Sequence, residues 1–206
     1  MKTNSVFAND VPIIDSELLL KAYCNGLFPM ADGRDGEIHW FSPEQRGIIP
    51  LNDLKISRSL RQTIRKKKFA IRIDSNFEAT IRACAKRNDV WISETIIQSY
   101  LQLHRLGYAH SVECWNNETL VGGLYGVAIG GAFFGESMFS QMTDASKVAL
   151  VYLVKRMNER GFVLLDTQYS NPHLLTLGCI EIPQFEYLQQ LQHAIQLDCH
   201  FTDEHR

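Results

Sequence analysis

The chain has 206 residues, 45% of them apolar and 21% charged, enough to bury a core in one large globular unit or two small ones packed together. Lys and Arg number 21 against 23 Asp and Glu, a net charge of −2, so the protein is not basic throughout. The five cysteines are widely spaced and without a C-x-x-C pair, which argues against a disulfide framework or a zinc site and for a reducing compartment.

Met1 to Pro12 lacks the basic-then-apolar order of a signal peptide, so a cytoplasmic chain is expected. Asp15 can cap a short helix through Leu18, Leu19 and Ala22 that stops at Gly26. Phe28-Pro29 and Ser42-Pro43 impose extended or turn geometry, and irregular loops with short strands are expected over Leu27–Leu51. Ser57 caps a basic amphipathic helix running toward Lys68, with Arg58, Arg61 and Arg65 on one face and Leu60 and Ile64 on another. This helix lies in a segment, Arg46 to Arg105, that holds 13 basic and 5 acidic residues. A local surplus of +8 on an acidic background fits a polyanion-binding segment, and equally a solvated charged surface.

Phe69–Ile73 alternates as a strand. Asn76 and Ser93 cap two helices, the second closed by Gly107. Ala109–Trp115, Leu120–Ile129 and Ala132–Phe139 read as strands, the first two joined by an Asn116-Asn117 turn. The 17 residues between Glu118 and Glu136 are uncharged but include six glycines. They are too short for a membrane span, which needs about 20 apolar residues. Asp144 is expected to cap a helix through Val148, Val151, Val154 and Met157 that ends at Gly161. A strand over Phe162–Gln168 and a last helix over Gln184–Gln196 complete an α+β order around a central sheet.

Chemistry-bearing residues are few. Period-2 geometry points Asp166 and Gln168 to one face of their strand, a directed polar pair or simply the place where the strand meets solvent. Glu136 is the single acid from Leu120 to Gln141, among Phe133, Phe134, Met138 and Phe139. If buried it needs a partner, a cation or a proton; a structural ion pair is the plainer alternative. Trp91 precedes a helix in a loop and could be ordinary core. Phosphate-binding glycine motifs and metal-ligand histidine spacings are absent, and Ser137 lacks the closing glycine of a nucleophile elbow.

Seven ordered strings carry a resemblance: Ala22–Pro29, Ser57–Leu60, Ala109–Glu113, Leu120–Val127, Phe134–Ser140, Asp144–Lys147 and Leu165–Gln168. Collinear from about residue 15 to 190, they closely resemble the leucyl/phenylalanyl-tRNA protein transferases. The resemblance implies an enzyme that moves Leu or Phe from aminoacyl-tRNA to proteins with N-terminal Arg or Lys, marking them for N-degron proteolysis. It implies a small N-terminal α/β domain with the basic helix (1–74) packed on a larger GNAT-like acyltransferase domain with a central mixed sheet (75–206), as a monomer.

By motif, Asp166 and Gln168 become the catalytic pair. Trp91, Leu124, Phe133, Gly135, Glu136, Met138 and Asn171 then line or border the aminoacyl-adenosine site, while Arg58, Arg61, Arg65 and Lys66 face the tRNA. Met30 and Thr167 depart from the family pattern, where Trp and Cys are common. Aminolysis of an activated ester needs positioning and management of one proton, and no metal or cofactor. Asp166 is expected either to attract the acceptor ammonium or to act as base. Phe133, Leu124 and Met138 are expected to form the apolar pocket, in which Leu, Phe and Met are poorly separated because a methylene is worth only about 1–3 kcal/mol. An acyl-CoA-dependent N-acetyltransferase and a non-catalytic tRNA-binding module are the alternatives.

Overall fold

The computed structural model describes residues 11–34, 36–86 and 91–203. In chain order the elements are α1 Ser16–Cys24, β1 Phe28–Ala31, β2 Ile38–Phe41, β3 Gln45–Ile48, α2 Arg58–Arg65, β4 Ala70–Ile73, α3 Phe77–Cys84 and α4 Glu94–Arg105. They continue as β5 Ala109–Asn116, β6 Thr119–Ile129, β7 Ala132–Ser140, α5 Ala145–Glu159, β8 Leu164–Gln168, α6 Pro172–Leu175, β9 Ile180–Pro183 and α7 Gln184–Ala194.

Four of the expected caps form. Asp15, Ser57, Asn76 and Ser93 accept from the N–H of Leu18, Leu60, Ala79 and Ile96 respectively, each satisfying an otherwise orphaned helix donor. Asp144 departs from expectation: it takes a left-handed conformation (φ 71°) and makes no side-chain cap. Its Oδ2 instead accepts a 2.9 Å bond from the Thr63 hydroxyl, tying α2 to the start of α5.

The mixed sheet has seven strands in the order β4-β5-β6-β7-β8-β3-β9. All described neighbours are antiparallel except β7 and β8, and that parallel pair is connected by the α5 crossover, as parallel pairing requires. β1 and β2 form a separate ribbon. Strands β3 and β4 both precede residue 74 yet lie in the main sheet, so hydrogen bonding runs continuously across that position. β9 and the one-turn α6 are elements that periodicity did not suggest. Each is four residues long, too short to show a repeat.

Period-2 alternation then sorts side chains to two cores. Phe134 and Leu164 join Tyr23, Phe77, Tyr100 and Tyr187 on one face. Phe133 and Leu165 join Val148, Leu153 and Phe201 on the other. Phe162 packs on this second face, opposite Leu164 and Asp166, because it precedes β8 and is outside its pleat.

Candidate active site

Asp166 lies on β8 facing the first core and is fully buried. Four donors converge on it. Arg46 of β3 forks onto it, Nε to Oδ1 at 2.9 Å and Nη2 to Oδ2 at 2.6 Å. The Tyr187 hydroxyl donates to Oδ2 at 2.7 Å, and the Gln168 backbone N–H to Oδ1 at 2.8 Å. Arg46 is 1% exposed, also donates to the Gly26 carbonyl, and stacks against the rings of Phe28 and Tyr187 at 4.7 and 4.5 Å. A planar guanidinium suits such a place, since it forks and stacks at once. With two donors on each oxygen, Asp166 is held in place by the protein's own groups.

That fork sets the next residue but one. Gln168 has φ 64°, a left-handed conformation costing roughly 1 kcal/mol or more in a residue with a side chain. The backbone bond to Asp166 holds it there, and the turned amide donates from Nε2 to Glu136 Oε1 at 2.9 Å. Glu136 of β7 is 8% exposed. Its Oε1 also accepts from the Tyr23 hydroxyl at 2.7 Å, and its Oε2 from the Tyr100 hydroxyl at 3.1 Å; the two phenols contact each other as well. Burial raises the Glu136 pKa from 4.5 to about 7, with Asp166 adding to the rise while Tyr23, Tyr100 and Arg46 oppose it.

Glu136 opens onto a pocket of about 920 Å³ whose wall also includes Trp91, Leu124, Gly135, Met138 and Asn171. Six of the seven residues expected around an aminoacyl-adenosine end are thus brought to one cavity. Phe133 is the exception: it is fully buried, its ring 5.1 Å from that of Phe201, so it underlies the wall. Apolar lining comes instead from Leu150, Leu153, Leu165 and Leu174 as well. Sequence reading missed Leu150 and Leu153 because α5 leucines look like any helix core face. Tyr23, Tyr100, Tyr187 and Arg46 were missed too, being single residues without a local pattern. Asp166 and Gln168 lie behind the pocket wall, while Leu165 and Thr167 border it.

Two glycines of the uncharged stretch answer to packing: a Cβ on Gly122 would come within 2.4 Å of Ala145, and one on Gly126 within 2.4 Å of Phe133. Gly135 alone among the six borders the pocket. On α2 and its C-cap, Arg58, Arg61, Arg65 and Lys66 are all exposed. Of the other cations counted in the basic segment, Arg46 is consumed by Asp166, and Arg82 by Glu78 and Glu94. Arg87 and Asp89 are outside the described residues.

The family model described as leucyl/phenylalanyl-tRNA protein transferase matches residues 48–192, and the model of that family's N-terminal domain matches residues 13–44. The chain belongs to this family. It is 52% identical to the leucyl/phenylalanyl-tRNA protein transferase of Cereibacter sphaeroides strain ATCC 17023, over 94% of this chain and 91% of that protein. The same enzyme from Gloeobacter violaceus is 52% identical over 90% of this chain and 96% of that one. That of Rubrobacter xylanophilus is 53% identical over 90% and 97%. Among solved structures, L-PGS from Bacillus licheniformis aligns at TM-score 0.42 and 13% identity, over 76% of this chain and 51% of that one. Membership makes this transferase an enzyme that passes the aminoacyl residue of a charged tRNA to a protein N-terminus. Neither family model describes an acetyl-CoA enzyme or a non-catalytic module. Among the described residues, no helix is long and apolar enough to cross a membrane.

Proposed function

We propose that this transferase takes Leu or Phe, with Met also tolerated, from aminoacyl-tRNA and joins it to proteins that begin with Arg or Lys, marking them for N-degron proteolysis in the cytoplasm. The observation that carries the reading is a single carboxylate, Glu136, held by Tyr23, Tyr100 and Gln168 on the wall of a pocket that Trp91 and several leucines also line. The reaction forms a C–N bond to the ester carbonyl and breaks the bond to the ribose oxygen. The acceptor ammonium must shed a proton first, and the departing oxygen must gain one. Glu136, with a pKa near neutrality, is matched to carry that proton.

Tyr23, Tyr100 and Gln168 hold Glu136 in place, and Arg46 and Asp166 hold Gln168. Asp166 is thus a positioning residue, and Gln168 acts on the substrate through Glu136. Trp91 offers a stacking face to the terminal adenine, while Leu124, Met138, Leu150 and Leu153 receive the aminoacyl side chain. Arg58, Arg61, Arg65 and Lys66 present a basic strip to the acceptor stem, with affinity that falls as salt rises. The test is extension of an Arg-starting peptide by one residue from charged tRNA; no product with any amino acid would overturn the reading.

A further inference from the structure

The acceptor's cationic first side chain needs a place of its own, because the buried carboxylates are already engaged: Asp166 by Arg46, Glu136 by two phenols and an amide. Another acid is bonded to the segment that lines the pocket. Gly47 of β3 is paired with Gln168 of β8 on one side and Glu181 of β9 on the other, so Glu181 is set beside the segment that leaves β8. A Cβ on Gly47 would come within 2.8 Å of the Thr167 hydroxyl, 2.8 Å of the Tyr169 carbonyl carbon and 2.9 Å of the Ser170 nitrogen. Only a glycine lets that segment cross β3 so closely. Within it, Tyr169 and Asn171 line the pocket, and between them the Ser170 hydroxyl donates to Glu181 Oε1 at 2.5 Å.

The Glu181 carboxylate is therefore tied to that segment by one hydrogen bond and exposed to solvent. No described Lys or Arg forms an ion pair with it. Tyr169 is 45% exposed and braced edge-on against Phe28 with ring centroids 5.7 Å apart. A solvent-facing carboxylate bonded to the residue that follows an open aromatic ring supplies the two groups that suit a guanidinium or ammonium on an aliphatic stem, charge from the one and the ring quadrupole from the other.

We propose that Glu181 and Tyr169 form the subsite for the basic side chain of the acceptor protein's first residue, and so select Arg or Lys. This rests on the transfer reaction proposed above. Aminolysis itself does not require the subsite, because the attacking nitrogen is the α-amine.

The test uses the full chain, Leu-tRNA and three peptides that differ only in a first residue of Arg, Lys or citrulline, the uncharged analogue of Arg. The wild type is expected to favour Arg and Lys over citrulline. Glu181→Gln should raise KM for the Arg peptide about three- to tenfold, the scale of one partly screened ion pair, and bring the Arg-to-citrulline ratio toward one with tRNA affinity retained. Tyr169→Leu should lower the ratio less. Equal losses on Arg and citrulline peptides, or an unchanged ratio, would overturn the subsite. Salt gives a second measurement on the wild type alone: the Arg preference should shrink from about 50 mM to about 500 mM salt, and a salt-independent preference counts against an ionic subsite. If wild-type protein extends Arg and citrulline peptides alike, the subsite falls while transfer stands; if it extends none, transfer falls and the subsite with it.

Discussion

Arg46 and Asp166, 120 positions apart, meet through a two-bond fork with side-chain exposures of 1% and 0%. Stranding one member of such a pair typically costs about 3–5 kcal/mol, whereas replacing both with apolar groups can be neutral. Arg46→Ala should therefore lose about that much stability in urea unfolding at pH 7. Arg46→Met combined with Asp166→Leu should regain most of it and still transfer poorly, because the backbone of Gln168 has lost its acceptor. Wild-type turnover in the double variant would show that the pair does not position Gln168.

Gln168→Gly separates conformation from chemistry. Glycine accepts φ 64° freely, which offsets the loss of one hydrogen bond worth about 1 kcal/mol, so stability should change little. The amide that holds Glu136 is gone, and kcat should fall on the order of ten- to a hundredfold. Equal activity in Gln168→Gly and the wild type would remove the side chain from the mechanism.

Glu136 makes two pH predictions. Transfer should rise with pH through about 7 as one group loses its proton, and Glu136→Gln should abolish that limb together with most turnover. Stability should move the other way. A folded pKa raised from 4.5 to about 7 means that the native state holds a proton the unfolded chain has released. The stabilisation is present below 4.5 and is lost as pH rises through 7, up to about 3 kcal/mol for this group. Urea unfolding at several pH values should show Glu136→Gln gaining on the wild type between about pH 5 and 7; parallel curves would contradict the raised pKa.

Met138 is half-buried on the pocket wall. Met138→Ala should enlarge the cavity and shift kcat/KM toward Phe over Leu by several-fold, since one or two methylenes in an apolar pocket are worth about 1–3 kcal/mol. Competition between Leu-tRNA and Phe-tRNA on one peptide measures the ratio, and an unchanged ratio would place the side-chain pocket elsewhere.

The basic strip makes a salt prediction. Replacing Arg58 and Arg65 by Ala should flatten the dependence of log K for tRNA on log salt by about 0.7–0.9 for each phosphate that is no longer neutralised. An unchanged slope would mean that the exposed face of α2 is only solvated surface.

Most helices and the long strands were legible because their signals are local. Side chains at positions 57, 76 and 93 cap helices three residues on, and the strand expected over Ala132–Phe139 forms, with Phe133 and Phe134 in different cores. The short β3 and β9 carry no such repeat, yet their insertion beside β8 brings Arg46 to Asp166 and Glu181 to Ser170. The Asp166–Gln168 spacing pointed to a polar pair on one strand. It could not tell that one is saturated by a guanidinium and the other twisted into a left-handed conformation.

By itself, then, the sequence determined the kind of elements, the α+β order, the family motifs and the uneven placement of charge, all of which follow from neighbours a few residues apart. Only the tertiary structure decided how each buried carboxylate is partnered. Tyr23 reaches Glu136 across 113 positions and Arg46 reaches Asp166 across 120. Burial and partners, which depend on those long-range encounters, are what shift a proton affinity or occupy a charge.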